Sequence, residues 1–334
     1  MTQVSQDRLA FKKQDSIGVN DAADDKDYLL NCFVDLGDLE ILEKFNDPKC
    51  ILLGRTGAGK TALVTKLQAD KADQVIVVDP EALAMQHISN STIINYLVEL
   101  GIDLNTFFKL LWRHEICVEI FTQHIKATSE MDHSNFIDRV RYEFKKKNVK
   151  HLKALEYLEE WKNTFWKTSD SHVTEMISKK ETEISGAVGA SLEGLNAKIK
   201  GANKLSEQEK TKIKQLGQSI VNDVQMKEVS GLLDMLDDFV EFHQKKYYIV
   251  LDKLDEKWVG NDIRYKLIKS LIETVRDLNR LNNIKPIIVL RHDLLGRVFN
   301  LTQDSGFQEE KYGPLYLDVK WSRTQLIELV NLRI

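Results

Sequence analysis

Gly54-Arg55-Thr56-Gly57-Ala58-Gly59-Lys60-Thr61 satisfies the pattern G-x-x-x-x-G-K-[ST] in full. It follows the apolar run Cys50-Ile51-Leu52-Leu53 and leads into Ala62-Leu63-Val64-Thr65-Lys66-Leu67, which reads as the first turns of a helix. Glycines between a strand and a helix let successive backbone N–H groups turn inward around phosphate oxygens, and the helix N-terminus adds its positive end. Residues Gly54 to Ala62 would form that cradle, with Lys60 reaching the β- and γ-phosphates and the Thr61 hydroxyl ligating Mg²⁺.

Such a loop needs an acidic residue at the end of another core strand to share the metal. The run Tyr247-Tyr248-Ile249-Val250-Leu251 ends in Asp252-Lys253-Leu254-Asp255-Glu256, which makes Asp252 the metal-side candidate. Asp255 and Glu256 are the carboxylates available to orient an attacking water, with Glu256 slightly favoured. A second apolar run, Ile288-Val289-Leu290, is followed directly by Arg291. Beside the loop strand, this guanidinium would end near the γ-phosphate; a surface arginine at a strand end is the competing reading.

These candidates need a scaffold that brings three strand ends together. Expected strands run over 50–53, 74–79, 247–251, 286–290 and 315–319, with Pro80 closing the second. Continuous apolar runs alternating with helices point to an α/β fold with a parallel sheet. Helices are expected over 28–45, after the glycine loop, over 263–281 and from Arg323 to the end. Residues 1–26 read as a polar, mobile tail. Residues 27–90 and 229–334 form the expected core, and 91–228 a mainly helical insertion. Within the insertion, separate helices are expected near 104–112, 115–127, 135–147 and 151–165, with a glycine-rich hairpin or loop near 183–202. Further helices are expected from Ser206 through Val224 and over 232–243.

The order of glycine loop, distant apolar-D-x-x-D-E strand, apolar-Arg strand and a helix after Trp321-Ser322-Arg323 resembles the AAA+/STAND/KAP group of P-loop ATPases. It is most similar to a bacterial family with an L-D-K-L-D-E-x-W block, here Leu251–Trp258. The motifs cover about residues 45–90 and 230–334. The resemblance implies a sheet order 5-1-4-3-2, ATP and Mg²⁺ as cofactors, and Arg291 as a first sensor. It also implies an ATP-driven switch or assembly module of the kind used in bacterial conflict and anti-phage defence, with self-association or a partner effector. Two departures stand out: Lys253 follows Asp252 where many relatives carry an acidic residue, and the sequence ends where relatives begin a helical lid. The first implies slow hydrolysis, or an ATP-locked scaffold that does not hydrolyse.

Other classes are weaker. Asp252-Lys253-Leu254-Asp255 approximates the guanine-reading N-K-x-D, but the matching D-x-x-G, Asp293-Leu294-Leu295-Gly296, falls after it rather than before. Lys145-Lys146-Lys147 with Arg139, Arg141, Lys150 and Lys153 is the densest basic segment and reads as a solvated helical face more readily than as a nucleic-acid contact. With 47 basic against 51 acidic residues, net −4, the composition gives no global pull toward nucleic acid or acidic membranes, so a nucleic-acid motor is the least supported alternative. His114-Glu115 does not extend to H-E-x-x-H, and no zinc spacing is present. Three cysteines far apart in sequence suggest reduced thiols, and neither a signal peptide nor an 18-residue apolar run is present, so a cytoplasmic protein is expected.

Overall fold

The computed structural model describes residues 25–35, 37–80, 98, 103–128, 211, 215, 233, 236–241, 244–256, 258, 260–302 and 309–333. The tail ahead of residue 25, the basic segment at 139–153, the glycine-rich stretch and most of the expected insertion lie outside these residues.

Five strands form one all-parallel sheet: β1 (Ile51–Gly54), β2 (Val75–Val78), β3 (Tyr247–Leu251), β4 (Ile284–Arg291) and β5 (Tyr316–Asp318). The order is β2-β3-β4-β1-β5, which reads 5-1-4-3-2 from the other edge. Helices α1 (Lys26–Asn31), α2 (Asp38–Glu43), α3 (Lys60–Asp70), α4 (Asn105–Thr128), α5 (Asn261–Leu278), α6 (His292–Leu301) and α7 (Arg323–Arg333) accompany it. The result is an α/β fold consistent with a P-loop NTPase.

Each strand alternates between two separate cores, because successive side chains point to opposite faces. Ile51 and Leu53, Tyr247, Ile249 and Leu251, and Ile288 and Leu290 pack with α4, α5 and α6 on one face. Leu52, Tyr248, Val250, Ile287 and Val289 pack with α2 and α3 on the other. Burial on both faces makes these strands read as unbroken apolar runs. Val77 is the exception: it lies on the edge strand β2 and is exposed.

Several boundaries differ from expectation. Residues 28–45 form two short helices instead of one. The chain breaks before α2 at Gly37, whose φ of 81° is a left-handed value that glycine adopts without penalty. The helices expected near 104–112 and 115–127 are a single one, α4, because its apolar stripe continues through Ile116, Cys117 and Ile120, all fully buried. Strand β4 starts two residues early and includes Lys285, whose side chain is fully buried with its ammonium donating to the Asp47 carbonyl. A satisfied donor makes such burial tolerable. Pro286 fits within β4 because it precedes Ile288, where pairing with β1 begins, so its missing N–H breaks no β1–β4 bond.

Cys32, Cys50 and Cys117 are free and buried. Burial pushes the Cys50 and Cys117 thiols up to about 12, so both are neutral and unreactive at neutral pH. Among the described residues no helix is long and apolar enough to cross a membrane.

Candidate functional site

Parallel pairing places the C-terminal ends of β1, β3 and β4 side by side. Gly54 is in register with Arg291, and Leu251 with Ile288. The sheet therefore brings the glycine loop, the Asp252 block and Arg291 to one edge, as ligand sites in open parallel sheets require.

The loop geometry depends on its glycines. A Cβ on Gly54 would lie 2.7 Å from the Val319 carbonyl oxygen and 3.0 Å from Ala58 Cβ, so the loop can pass β5 only without a side chain. Gly57 and Gly59 have φ of 78° and 94°. Ala58 N–H closes a turn onto Arg55 O at 3.2 Å, and α3 begins at Lys60 directly after Gly59. Such successive left-handed turns before a helix start point N–H groups toward a common centre.

Lys60 is buried and donates to Gly54 O at 3.0 Å and Arg55 O at 2.9 Å. An ammonium carries three donors, so one remains for an incoming anion. Burial pulls its pKa below the usual lysine value, opposed by Asp252 and Asp255 and reinforced by Arg291.

Thr61 Oγ1 lies 3.4 Å from Asp252 Oδ2, while Asp252 Oδ1 accepts the Lys253 N–H at 2.7 Å. Two oxygens at 2.0–2.1 Å from Mg²⁺ in adjacent octahedral positions are about 3 Å apart, so this pair fits two neighbouring ligands. Lys253 has φ of 59°, uncommon for a residue with a Cβ. That turn aims its N–H back at Asp252 and its own side chain into solvent.

Burial raises the Asp252 pKa above the usual carboxylate value and nearby Asp255 adds to the rise, while the Lys253 N–H, Thr61 and Lys60 oppose it. A folded-state value above the unfolded one stabilises the fold fully below the unfolded pKa, and the contribution is lost as pH rises through the folded value. At pH 7 the protein therefore carries the cost of a buried charge. Asp252→Asn is expected to raise the melting temperature of the protein without added metal at pH 7, with the gain shrinking toward pH 4. A lower melting temperature at pH 7 would contradict this.

The remaining candidates divide. Asp255 Oδ2 is 3.7 Å from Arg291 Nη1 and lies within the electrostatic surroundings of Lys60. Glu256 is exposed. Arg264, buried on α5, holds the block from behind by donating to Glu256 O at 2.7 Å and Asp255 O at 3.2 Å. The structure thus brings Lys60, Thr61, Asp252, Asp255 and Arg291 together and leaves the Glu256 carboxylate in solvent. Arg55, Thr56 and Gly57 form the exposed outer rim of the loop.

Three features are not apparent from sequence. Asp293 grips Arg291 through Nε at 2.9 Å and Nη2 at 2.8 Å. Its spacing of two residues from Arg291, at a strand-to-helix junction, is the one local signal for it. Trp321 lies with its indole 3.3 Å from the position of a Gly59 Cβ. It also lines a cleft of about 70 Å³, together with Phe33, Val34, Ala62, Leu63, Leu329 and Arg333. No sequence signal joins residues so far apart. The third is the tie between His292 Nε2 and Asp318 Oδ1, 2.8 Å long, which reaches from β4's end to β5's.

Comparison with protein-family models, with curated proteins and with solved structures finds no match for this chain.

Proposed function

We propose that the chain is a Mg²⁺-dependent ATP-binding module of the P-loop NTPase fold that hydrolyses ATP slowly and acts as a nucleotide-controlled switch or assembly module. The observation that carries this reading is the convergence at one sheet edge of a glycine loop, a lysine with a spare donor, and a Thr61–Asp252 oxygen pair. The order of strands supports it, since β3 and β4 stand next to each other and β4 beside β1.

In this reading the loop N–H groups and Lys60 bind the β- and γ-phosphates, while Thr61 and Asp252 hold the metal. Mg²⁺, when bound, supplies the positive charge that offsets crowded phosphate oxygens. That charge is needed: Asp252, Asp255 and Asp293 outnumber Lys60 and Arg291 around the loop. The base is assigned to the mostly apolar cleft beside Ala62 and Trp321, which adjoins the loop at Ala58 and Gly59. Among the described residues that line it there is no Asp or Glu to read guanine's N1–H and amino group, which favours adenine. Asp252–Asp255, the approximate guanine-reading loop, sits instead at the metal side next to Thr61, and Asp293–Gly296 forms the first turns of α6 rather than a phosphate-contacting loop.

A second reading, an ATP-locked scaffold that does not hydrolyse, is favoured by one observation. Asp255 faces Arg291 and Glu256 faces solvent, so neither carboxylate is committed to a water beside Thr61. ATP binding and turnover by the wild type, Lys60→Ala and Glu256→Gln, with and without DNA and with GTP as competitor, test these readings. Slow turnover that requires Mg²⁺ and Lys60 and ignores DNA is expected. Tight binding without turnover, unchanged in Glu256→Gln, supports the scaffold; preference for GTP overturns the adenine assignment, and strong stimulation by DNA supports a motor.

A further inference from the structure

Arg291 is held closely by one carboxylate, Asp293, and loosely by another, Asp255. Its guanidinium offers two paired edges, each able to take a carboxylate or phosphate in bidentate fashion. Asp293 occupies the Nε–Nη2 edge at 2.9 and 2.8 Å. The Nη1 corner points toward Asp255 at 3.7 Å, longer than a hydrogen bond. The backbone fixes this arrangement. Arg291 is the last residue of β4, in register with Gly54, and Asp293 lies in the first turn of α6, where a negative side chain is favoured by the helix N-terminus.

We propose that Asp293 is a positioning residue that anchors Arg291 with its Nη1 corner turned toward the loop, and that this pair sets the selectivity of the site for a nucleoside triphosphate over a diphosphate. The proposal rests on the nucleotide-site reading. A diphosphate bound by the loop and Lys60 does not need Arg291; a γ-phosphate extends past Lys60 toward the β3 and β4 ends and meets the exposed corner. Asp255, the group now nearest that corner, then gives way to a phosphate oxygen, which makes a shorter and stronger charge-assisted bond than a 3.7 Å contact. Without Asp293 the arginine would have to be ordered by the ligand itself, and the side-chain entropy lost on binding would weaken triphosphate alone.

The test is calorimetric titration of the whole chain, with Mg²⁺, using ADP and an ATP analogue carrying an imido bridge between the β- and γ-phosphates. The quantity read is the ratio of the two affinities, which a general loss of structure would leave unmoved. Arg291→Ala is expected to bring that ratio close to unity. Asp293→Asn is expected to lower it by about threefold to tenfold, the range set by weakening one charge-assisted hydrogen bond. Asp293→Glu, which keeps the carboxylate, is expected to retain most of the selectivity, and Asp293→Asn added to Arg291→Ala should change nothing further. A ratio unchanged in Asp293→Asn overturns the proposal, and a ratio that rises shows Asp293 to be a competitor for Arg291 instead. Failure of the wild type to bind either nucleotide overturns the nucleotide-site reading and this proposal with it; binding of both with Asp293→Asn inert overturns this proposal alone.

Discussion

Lys60→Ala is expected to weaken ATP binding by about tenfold to a hundredfold while leaving the nucleotide-free fold as stable as the wild type. The ligand side follows from the one donor left free by the Gly54 and Arg55 carbonyls, whose charge-assisted hydrogen bond to a phosphate contributes about 1.5–3 kcal/mol, against a factor of ten per 1.4 kcal/mol. The stability side follows from the contacts Lys60 makes within the protein. Its ammonium is buried, its pKa is pulled below the usual value chiefly by that burial, and two carbonyl oxygens partly compensate. A folded pKa below the unfolded one means the charged lysine adds no stability at neutral pH. Isothermal titration with Mg²⁺-ATP measures the first quantity and thermal melting without ligand the second. Binding within about threefold of wild type would show that Lys60 does not contact phosphate. A collapse of the melt would assign it a structural role.

Trp112→Ala is expected to produce the largest loss of stability, about 3–5 kcal/mol, the usual range for emptying a large buried aromatic site. Trp112 is fully buried on α4, donates from Nε1 to Leu267 O at 2.9 Å, and meets Trp258 edge-on at 6.3 Å. Around it, Arg113 pairs with Asp277 at 2.6 Å and Lys109 with Glu273 at 2.8 Å, so α4 is clamped along α5. Trp258 also closes the segment that carries Asp255 and Glu256, which makes this contact the joint between α4 and the candidate site. Urea denaturation should show a lower midpoint with an unchanged slope. Trp112→Phe, which keeps most of the volume and loses the hydrogen bond, should cost about 1 kcal/mol. A loss below about 1 kcal/mol for the alanine variant would show that α4 is not docked on α5 in solution.

The features legible in the sequence are those with short-range physical causes. The turn from β1 to α3 needs glycines at Gly54, Gly57 and Gly59, because of one close backbone approach and two left-handed φ angles, and so leaves a dense signature. Strands buried on both faces must be apolar throughout, which marked β1, β3 and β4 to within two residues of their ends. A carboxylate and an arginine at strand ends then placed Asp252 and Arg291 beside the loop once the strands were taken as parallel. Where a strand carries a buried charge the signal fails: Lys285 reads as loop and is core, because its ammonium finds the Asp47 carbonyl.

Composition and motif order by themselves determined an α/β chain with a glycine loop after one strand, an acidic residue after a second and an arginine at the end of a third. Tertiary structure alone decided which of those groups face one another. It turned Asp255 toward Arg291 and left Glu256 in solvent, gave Arg291 a second carboxylate in Asp293, and laid Trp321 against Gly59. Backbone conformation at a turn is written in neighbouring residues, whereas a side chain's partner depends on sheet register and on elements tens to hundreds of residues away.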